Sequence, residues 1–281
     1  MTDEDKAFSS IDFVGQCLVD EKRTTAFQKV INKIITKDSV VLDMGTGSGI
    51  MALSAAATGA RKVYAVEFDP FVAEIPKRLI KLNNLEDKIS VLINDARKID
   101  FPEKIKFDVV ISEMLTTGIV DEFQVQAINN LHDKKLVDSS TIFLPQRHDT
   151  FISLVNANFT MFGLKMPMIL HLWNWHKWKN FKIKHLTNSA LLNSIKFNQK
   201  NNEDFETTII FDVKKDGIIN SLYLTSRTFL TDKIHIKDTE ALNAPMLIPT
   251  AERLVKRGQT LKLKINYTFG NGYKNFNALF I

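Results

Sequence analysis

The stretch Val41-Leu-Asp-Met-Gly-Thr-Gly-Ser-Gly-Ile50 places three glycines at alternate positions directly after a short apolar run. Glycine lets the backbone turn sharply and approach a ligand closely, so the stretch predicts a buried strand, a tight turn and the start of a helix. Asp43 stands just before the turn. Its carboxylate suits a ligand with a positive amino group and would repel a pyrophosphate. A purely structural turn is the competing interpretation, since this glycine pattern alone is weak evidence.

Apolar strand-like runs alternate with helical stretches from about residue 38 to residue 145. The predicted strands are 40–42, 62–66, 89–93, 107–111 and 140–144, and the predicted helices are 14–35, 50–57, 71–83 and 122–131. This alternation predicts a mostly parallel sheet covered by helices on both faces.

The pattern changes after Pro145. The segments 206–213, 218–228 and 259–268 are strand-like, and the first two are separated by Lys214-Lys-Asp-Gly217. Because Asp-Gly is a hairpin signal, these two segments are predicted to pair with each other. Short strands with turns between them predict an antiparallel sheet or barrel.

Two more carboxylates follow predicted strands of the first half. Glu67 comes 18 residues after Gly49, where a carboxylate can accept both hydroxyl hydrogens of a ribose. This spacing also suits a nicotinamide dinucleotide, but the order D-x-G-x-G-x-G differs from G-x-G-x-x-G. Asp95 follows the third strand and is predicted to accept from an adenine amino group. Its competing interpretation is a solvated loop carboxylate or a helix cap.

Taken together, the pattern resembles the class I methyltransferase fold. The resemblance implies S-adenosylmethionine as cofactor and S-adenosylhomocysteine as product. The implied cofactor site comprises Arg23, Asp43, Gly45, Thr46, Gly47, Gly49, Ile50, Glu67, Phe68, Asp95, Ala96 and Glu113.

Glu113 and Glu122 lie nine residues apart, after the fourth predicted strand. Glu113 stands beyond the carboxyl end of that strand, where ligands bind in open α/β sheets. Glu122 is predicted to start a helix, and its competing interpretation is a first-turn acid that complements the helix dipole. Two carboxylates that converge beside a transferable methyl group would hold an amine-bearing acceptor and stabilise its positive charge. We therefore predict both as catalytic residues.

The same features resemble the protein arginine methyltransferases. That family has two glutamates with this separation in a loop that opens with Ser-Glu, as Ser112-Glu113 does here, and it has a helix bearing D-x-x-R-T, matched by Asp20-Glu-Lys-Arg23-Thr24. The resemblance implies that Arg23 pairs with the carboxylate of the methionine moiety. Without it, Arg23 would be interpreted as a surface helix arginine. The resemblance covers about residues 8 to 268 and implies a C-terminal β-barrel after Pro145.

The predicted fold class is therefore α/β, with a Rossmann-like class I methyltransferase domain followed by a mostly antiparallel, β-barrel-like domain. We expect a helical segment over 1–36 that covers the cofactor, the S-adenosylmethionine-binding domain over 37–145, and a substrate or dimerisation domain over 146–281.

Several family features are missing. The region 4–8 has only Phe8 where the family has a Y-F-x-x-Y element, and the stretch 240–242 lacks the His and Trp of a Thr-His-Trp loop that helps frame the acceptor. Arg97 stands where the family often has a Glu against adenine. These departures leave the acceptor open between a protein arginine, a small molecule or peptide, and RNA.

The composition limits other classes. The chain has 281 residues, of which 44% are hydrophobic and 25% charged, and this balance is typical of a globular protein. No apolar run is long enough for a membrane span, and no secretory signal is recognised. Cys17 is the single cysteine, which fits a reducing cytoplasm. The six scattered histidines and Cys17 show no metal-ligand spacing, so no metal is expected.

The segment Trp173-Asn-Trp175-His-Lys-Trp178 combines aromatic and basic residues. Stacking on a ligand or on bases, a dimer contact and plain packing are its alternative interpretations. Residues 165–200 are expected to form a shortened arm, and the protein a homodimer. RNA as acceptor is disfavoured because neither an Asn/Asp-Pro-Pro-Tyr motif nor a basic appended domain is present. A non-catalytic cofactor-binding protein and a nicotinamide-dependent oxidoreductase are the further alternatives.

Overall fold

The computed structural model describes residues 10–101, 105–174 and 181–281. The α-helices within these ranges are α1 (Ile11–Val19), α2 (Glu21–Ile34), α3 (Ile50–Thr58), α4 (Glu74–Leu82) and α5 (Gln124–Asp133). The strands of the first half are β1 (Val40–Met44), β2 (Lys62–Glu67), β3 (Ile89–Ile93), β4 (Val109–Ser112) and β5 (Ile142–Leu144).

Twelve further strands follow within the described residues. They are β6 (Arg147–Ala157), β7 (Thr160–Met161), β8 (Leu164–Lys165), β9 (Leu170–His171), β10 (Ile183–His185), β11 (Ala190–Lys196), β12 (Asp204–Asp212), β13 (Gly217–Phe229), β14 (His235–Ile236), β15 (Met246–Val255), β16 (Thr260–Thr268) and β17 (Asn277–Phe280).

The first five strands form one parallel sheet in the order β3-β2-β1-β4-β5. Every residue of β1 and β4 is buried, as expected for central strands covered on both faces. The strand order reverses between β1 and β4, and such a switch point opens a crevice at the carboxyl ends of the strands. The predicted parallel sheet is confirmed, and the crevice lies between the glycine turn and Glu113.

The helix predicted over 14–35 is two helices. Asp20 separates them because its side chain accepts a hydrogen bond from the backbone N–H of Arg23 at 3.1 Å and so caps the N-terminus of α2. In a continuous helix Asp20 would share the face of Phe27 and Ile31, which is unfavourable for a carboxylate, and the sequence analysis did not use this signal. The consequence of the break is that α1 is free to lie at a different angle, over the glycine turn.

The second half forms antiparallel sheets, and this prediction is also confirmed. A seven-stranded sheet has the order β10-β6-β13-β15-β9, with β11 paired to β6 and β14 to β13, while β12, β16 and β17 form a three-stranded sheet. An isolated bridge between Thr187 and Val213 joins the two sheets at one edge. The arrangement is therefore barrel-like without a continuous hydrogen-bonded ring.

The hairpin predicted at Lys214–Gly217 is wrong. β12 pairs with β16, whereas β13 pairs with β6 and β15, so the turn carries the chain from one sheet to the other. Gly217 does not adopt the positive φ that a two-residue hairpin turn of this type requires. Instead, Asp216 accepts a hydrogen bond from the backbone N–H of Arg257 at 2.8 Å.

One hydrophobic core runs through both halves. It includes Leu42 and Ile111 of the parallel sheet and Leu224 and Ile265 of the antiparallel sheets. The segment that carries Glu113 and Glu122 lies between the two halves and contacts both. Among the described residues, no α-helix has both the length and the apolar character needed to cross a bilayer.

Candidate active site

The glycine turn adopts backbone conformations that favour glycine. Gly45 and Gly49 have φ angles of +69° and +81°. A Cβ on Gly45 would lie 2.8 Å from Cγ of Met114, and a Cβ on Gly49 would lie 2.8 Å from Cβ of Pro76. The turn therefore needs glycine for its conformation and for its close packing against two neighbouring segments.

Helix α1 covers this turn. A Cβ on Gly47 would lie 3.5 Å from a methyl group of Val14, and the side chain of Gln16 donates a hydrogen bond to the backbone carbonyl of Glu240 at 2.9 Å. Phe13, Val14 and Cys17 line the cavity above the turn. The N-terminal helix thus forms the roof of the cavity.

Asp43 is buried at the end of β1 and stabilises the turn from below. Its Oδ2 accepts hydrogen bonds from the hydroxyl of Thr46 at 2.6 Å and from the backbone N–H of Ala52 at 3.1 Å. Burial raises the pKa of Asp43 to about 6, although both hydrogen bonds oppose this change. The predicted ligand residue is therefore also a structural residue of the turn.

Glu67 is buried at the end of β2, and backbone N–H groups orient its carboxylate. Its Oε2 accepts from Gly47 at 2.9 Å, and its Oε1 accepts from Phe68 at 2.9 Å and from Asp69 at 3.2 Å. Burial raises the pKa of Glu67 against these hydrogen bonds. A carboxylate oxygen has two lone pairs, so the side chain is held in place and can still accept from a ligand.

Asp95 has a partner that the sequence analysis did not foresee. Nε and Nη2 of Arg97 donate to its two carboxylate oxygens at 2.9 Å and 2.8 Å, and the Arg97 guanidinium lies 4.2 Å from the centre of the Phe123 ring. Asp95 and Ala96 both line the cavity. An adenine amino group that binds Asp95 would therefore displace Arg97 from the carboxylate or share the carboxylate with it.

Arg23 and Glu113 form an ion pair inside the cavity. Nε of Arg23 donates to Oε2 of Glu113 at 2.6 Å, Nη2 contacts the same oxygen, and Nη1 donates to the carbonyl of Cys17 at 3.0 Å. The side chains of Arg23 and Glu113 are only 7% and 9% exposed, so the interpretation of Arg23 as a surface arginine is wrong. Burial raises the pKa of Glu113 in spite of the neighbouring guanidinium.

Glu122 does not start a helix, because α5 begins at Gln124. Its interpretation as a first-turn acid is therefore wrong, and its side chain lines the cavity. Burial raises the pKa of Glu122 well above its usual value, and the charges of Asp121 and Glu113 raise it further. Glu122 is thus electrostatically coupled to Glu113.

The second half of the chain holds the loop between the two glutamates. Thr117 donates to the carbonyl of Ala244 at 2.7 Å, and the hydroxyl of Tyr267 donates to the carbonyl of Gly118 at 2.9 Å. The N–H of Gly270 donates to the carbonyl of Ile119 at 3.0 Å. Ile119 has a φ of +50°, which is unfavourable for a β-branched residue and persists because these contacts constrain the loop.

Gln124 connects the two ends of this loop. Its Oε1 accepts from the backbone N–H of Met114 at 2.9 Å and from the hydroxyl of Ser112 at 3.2 Å. The side chain is fully buried. Sequence reasoning missed this positioning residue, since a glutamine near a predicted helix start gives no signal of its own.

A second missed cluster surrounds Asp121, which lines the cavity next to Glu122. Its carboxylate accepts a hydrogen bond from Thr116 and lies 3.6 Å from Nε2 of His171, and the same nitrogen lies 2.7 Å from the hydroxyl of Tyr273. Burial opposes the charge of Asp121, but the hydrogen bonds from His171 and Thr116 lower its pKa. The lowered pKa favours the ionised form of Asp121 beside Glu122.

One cavity brings nearly all predicted site residues together. The predicted residues that line it are Arg23, Asp43, Gly45, Thr46, Gly47, Ile50, Glu67, Phe68, Asp95, Ala96, Glu113 and Glu122. Gly49 is the exception, because it packs against Pro76 behind the turn. Six acidic residues and two arginines line the cavity, so its charge favours a cationic ligand.

Two sequence observations fall partly or wholly outside the described residues. The region 4–8 lies outside them, as do Trp175 and Trp178, whereas Trp173 is described and half-buried. Within the described residues, no cluster of three or more His, Cys, Asp and Glu side chains has an arrangement that could hold a metal ion.

A family model described as ribosomal protein L11 methyltransferase (PrmA) matches residues 21–178, which is more than half of the chain. An uncharacterised protein of Methanocaldococcus jannaschii is 30% identical over 255 residues, or 91% of this chain and 90% of that protein. The family match includes the glycine turn and both glutamates.

Two arginine methyltransferases match a shorter part. Protein arginine N-methyltransferase 6 of Danio rerio is 33% identical over 152 residues, or 53% of this chain and 42% of that protein. Probable protein arginine N-methyltransferase 1.2 of Arabidopsis thaliana is 35% identical over 160 residues, or 55% of this chain and 43% of that protein. The match thus spans less than half the length of these two relatives.

Solved structures show the same fold over nearly the whole chain. The enzyme–prozyme heterotetrameric complex of Trypanosoma brucei PRMT1 with AdoHcy has a TM-score of 0.74 at 17% identity, with 98% of each chain covered. Protein arginine methyltransferase 10 of Arabidopsis thaliana has a TM-score of 0.73 at 16% identity, with 97% of each chain covered.

These matches confirm the resemblance that the sequence indicated, and they speak against a nicotinamide-dependent oxidoreductase. The cofactor is S-adenosylmethionine, with S-adenosylhomocysteine as its product. The chain belongs to the family described as ribosomal protein L11 methyltransferase (PrmA), and it is an S-adenosylmethionine-dependent methyltransferase that resembles the protein arginine methyltransferases.

Proposed function

We propose that this methyltransferase acts on a cationic nitrogen acceptor held between Glu113 and Glu122. The observation that carries the proposal is the acidic end of the cavity, which Glu113, Glu122 and Asp121 line together. Buried carboxylates that outnumber their cationic partners attract a positive group. The charge of Glu113 is balanced by Arg23, whereas the charges of Asp121 and Glu113 add to burial in raising the pKa of Glu122.

The cavity suits the cofactor, and its residues divide the recognition among them. The backbone of Gly45 and Gly47 offers a close approach that a Cβ would restrict. We assign the ribose hydroxyls to Glu67, the amino group to Asp43 and the carboxylate to Arg23. Asp43 and Glu67 are buried at the carboxyl ends of strands, and Arg23 is buried on α2 beside them. Open α/β sheets bind their ligands at this edge.

The bound cofactor supplies a methyl group on a sulfonium, which is already a good leaving centre. Glu113 and Glu122 orient the acceptor nitrogen and stabilise its positive charge, and the proton that a cationic acceptor must lose on methylation passes to one of these two carboxylates. Because burial raises the pKa of Glu122, an approaching cation would favour its ionised form. Once Glu122 has lost its proton to solvent, two carboxylates face one cation.

The acceptor we favour is an arginine side chain of a protein or peptide, because two relatives are named for that activity. A small molecule or peptide natural product and RNA are the alternatives. The acidic lining disfavours RNA, since phosphates would be repelled. Incubating a cell extract with the protein and isotope-labelled donor, then separating protein, metabolite and RNA fractions, identifies which fraction gains the label.

The mechanism is tested with Glu122→Gln, which keeps the size of the side chain and removes its charge. We expect turnover to fall by about a hundredfold or more, as when a preorganised electrostatic group is removed. The affinity for S-adenosylhomocysteine should change little, because among the described residues no hydrogen bond joins the side chain of Glu122 to the glycine turn or to Arg23. Glu206→Gln is the matched control, since Glu206 is an exposed residue of β12 that pairs with Lys264. Unchanged turnover in Glu122→Gln would remove the double-glutamate mechanism.

We also propose a homodimer and a cytoplasmic location. The hairpin of β7 and β8 and the residues after it expose a group of large apolar side chains, namely Phe162, Leu164, Met166 and Met168. A cluster of this kind is typical of a protein contact. Sedimentation of the wild type and of Phe162→Asp tests the dimer, and a monomeric wild type would overturn it.

The proposed cytoplasmic location rests on the single cysteine of the chain and is tested by cell fractionation.

A further inference from the structure

The seven-stranded sheet carries a group of buried polar side chains on the face that meets the loop between the two glutamates. Thr150 of β6 is paired with Ser226 of β13 and with Asn193 of β11, and His148 lies two residues before Thr150 on the same face of β6. All four residues are buried. We call them the inner polar group.

Hydrogen bonds around His148 fix which of its ring nitrogens carries the hydrogen. Nδ2 of Asn243 donates to two backbone carbonyls, those of Ile236 and Lys237, at 3.1 Å and 3.2 Å. Oδ1 of Asn243 therefore faces the hydroxyl of Thr228 and accepts its hydrogen at 3.1 Å. Because a hydroxyl has only one hydrogen, Thr228 accepts from Nδ1 of His148, 3.0 Å away. Burial lowers the pKa of His148 to about 4, so near neutral pH its Nε2 has no hydrogen and can only accept.

Asn193 supplies a second buried acceptor. Its Nδ2 donates to the hydroxyl oxygen of Tyr267 at 2.7 Å, and that hydroxyl gives its hydrogen to the carbonyl of Gly118 at 2.9 Å. The amide orientation is thereby fixed, since Tyr267 has no second hydrogen to give. Among the described residues, no group donates to Oδ1 of Asn193 or to Nε2 of His148. Proteins satisfy buried acceptors of this kind with ordered water.

The hydroxyls of Thr150 and Ser226 leave one hydrogen for a further acceptor. They share a single hydrogen bond at 3.3 Å, and Oγ of Ser226 also accepts from the backbone N–H of Gly118 at 3.4 Å. Two hydroxyls carry two hydrogens, and only one of these lies between them. The inner polar group therefore combines one donor hydrogen with two acceptors.

We propose that the inner polar group binds a water molecule. The water accepts from the hydroxyl pair and donates to Nε2 of His148 and to Oδ1 of Asn193, and about three hydrogen bonds are usual for a buried water. The register makes these two residues diagonal neighbours on adjacent strands, and such Cα atoms lie about 7–8 Å apart, which leaves room for one small molecule between the side chains.

This site goes beyond the proposed function, because it supports the glutamate loop whichever acceptor is methylated. Gly118 lies between Glu113 and Glu122 in the chain, and both of its backbone polar groups are held from the second half. Ser226 accepts from its N–H, and Tyr267 donates to its carbonyl. Since the water would bond to the partners of Ser226 and Tyr267, we infer that it holds both of them against the loop.

Two measurements on the wild type saturated with S-adenosylhomocysteine test the site. A crystal structure that resolves ordered water should show a peak within hydrogen-bond distance of both Nε2 of His148 and Oδ1 of Asn193. NMR of the protein with isotope-labelled histidine should show the form of His148 with its hydrogen on Nδ1. A missing peak, or a hydrogen on Nε2, would overturn the proposal.

Variants test the link to the glutamate loop. His148→Phe and Asn193→Leu each remove one acceptor and keep much of the side-chain volume, so we expect the water peak to disappear in both. Hydrogen exchange of the Gly118 N–H should become about tenfold faster, because Ser226 is held less firmly. His185→Phe, at an exposed histidine of β10, is the matched control and should leave this exchange unchanged.

Each result has a definite meaning. A water peak that persists in both variants would overturn the binding site. Exchange of Gly118 that is as slow in both variants as in the wild type would overturn the link to the loop. If neither variant folds, the wild-type crystal structure and the histidine NMR spectrum decide, because they need no substitution.

Discussion

Arg23 on α2 and Glu113 after β4 are 90 residues apart in the chain and form a buried ion pair in which two guanidinium nitrogens contact one carboxylate oxygen. The resemblance assigns Arg23 to the cofactor, and Glu113 both to the cofactor site and to the acceptor. The pair therefore joins the two proposed binding sites, because a ligand that binds one side chain changes the electrostatic environment of the other. A methionine carboxylate that binds Arg23 would weaken its hold on Glu113.

This pair makes Arg23 hard to replace. In Arg23→Ala, Glu113 is left buried without its partner, so we expect the free energy of unfolding to fall by about 3 kcal/mol. Adding Glu113→Gln to that variant removes the unpaired charge and should recover part of the loss. Denaturant unfolding of the single and double variants measures both effects. If the double variant is no more stable than Arg23→Ala, the charge of Glu113 is not what destabilises it.

Arg23→Lys keeps the positive charge but lacks the planar guanidinium, whose N–H groups can bind both oxygens of one carboxylate. We expect the affinity for S-adenosylhomocysteine to fall by about tenfold, because lysine cannot hold a carboxylate in two-point contact. Calorimetry measures this change. The control is Arg147→Lys, since Arg147 also pairs with a carboxylate, Asp149, but lies outside the cavity. An equal loss of affinity in both variants would argue against a direct role of Arg23.

Gly45→Ala tests the glycine turn. Gly45 has a φ of +69°, which destabilises any residue with a side chain by about 1 kcal/mol, and the Cβ of the alanine would lie 2.8 Å from Met114. We expect cofactor affinity to fall more than tenfold, since the backbone would shift where the ligand approaches. Gly258→Ala is the matched control, because Gly258 has a φ of +89° with no atom within 4 Å of its Cβ. It should lose a similar amount of stability and no cofactor affinity.

Tyr267→Phe tests how the second half positions the glutamates. The variant leaves the Gly118 carbonyl and the Asn193 side chain without the phenol hydroxyl, so we expect a loss of about 1–2 kcal/mol in stability. Turnover should fall, while cofactor affinity stays within about twofold because Tyr267 does not touch the turn. In Tyr223→Phe, the control, turnover should be unaffected. Unchanged turnover in both variants would show that the loop holds its shape without this hydroxyl.

The pKa of Asp43, which burial raises to about 6, predicts a pH dependence of stability. As the pH rises from about 4 to about 6, the unfolded chain has already lost this proton and the folded chain still holds it, so unfolding becomes easier. Relative to Asp43→Asn, the wild type should lose about 2–3 kcal/mol of unfolding free energy over this range. Unfolding of both proteins at several pH values checks this, and a pH-independent difference would contradict it.

Local patterns were sufficient for the parallel sheet and the glycine turn, and the predicted site residues other than Gly49 line one cavity. The apolar run of β1 and the glycines after it lie within ten residues, and their meaning depends on backbone geometry that is itself local. Predictions that depended on pairing partners were less successful. Asp216-Gly217 has the composition of a hairpin turn, but the strands on either side find better partners in two different sheets.

The sequence by itself indicated which residues are candidates for the chemistry, because a strand end, a glycine turn and two spaced glutamates are features of a short segment. Tertiary structure alone decided what surrounds them. Tyr267 reaches Gly118 across 149 positions, and His171 meets Tyr273 across 102. Such contacts arise from the packing of two halves on one core, and packing depends on the shapes of all the elements at once, which no local spacing encodes.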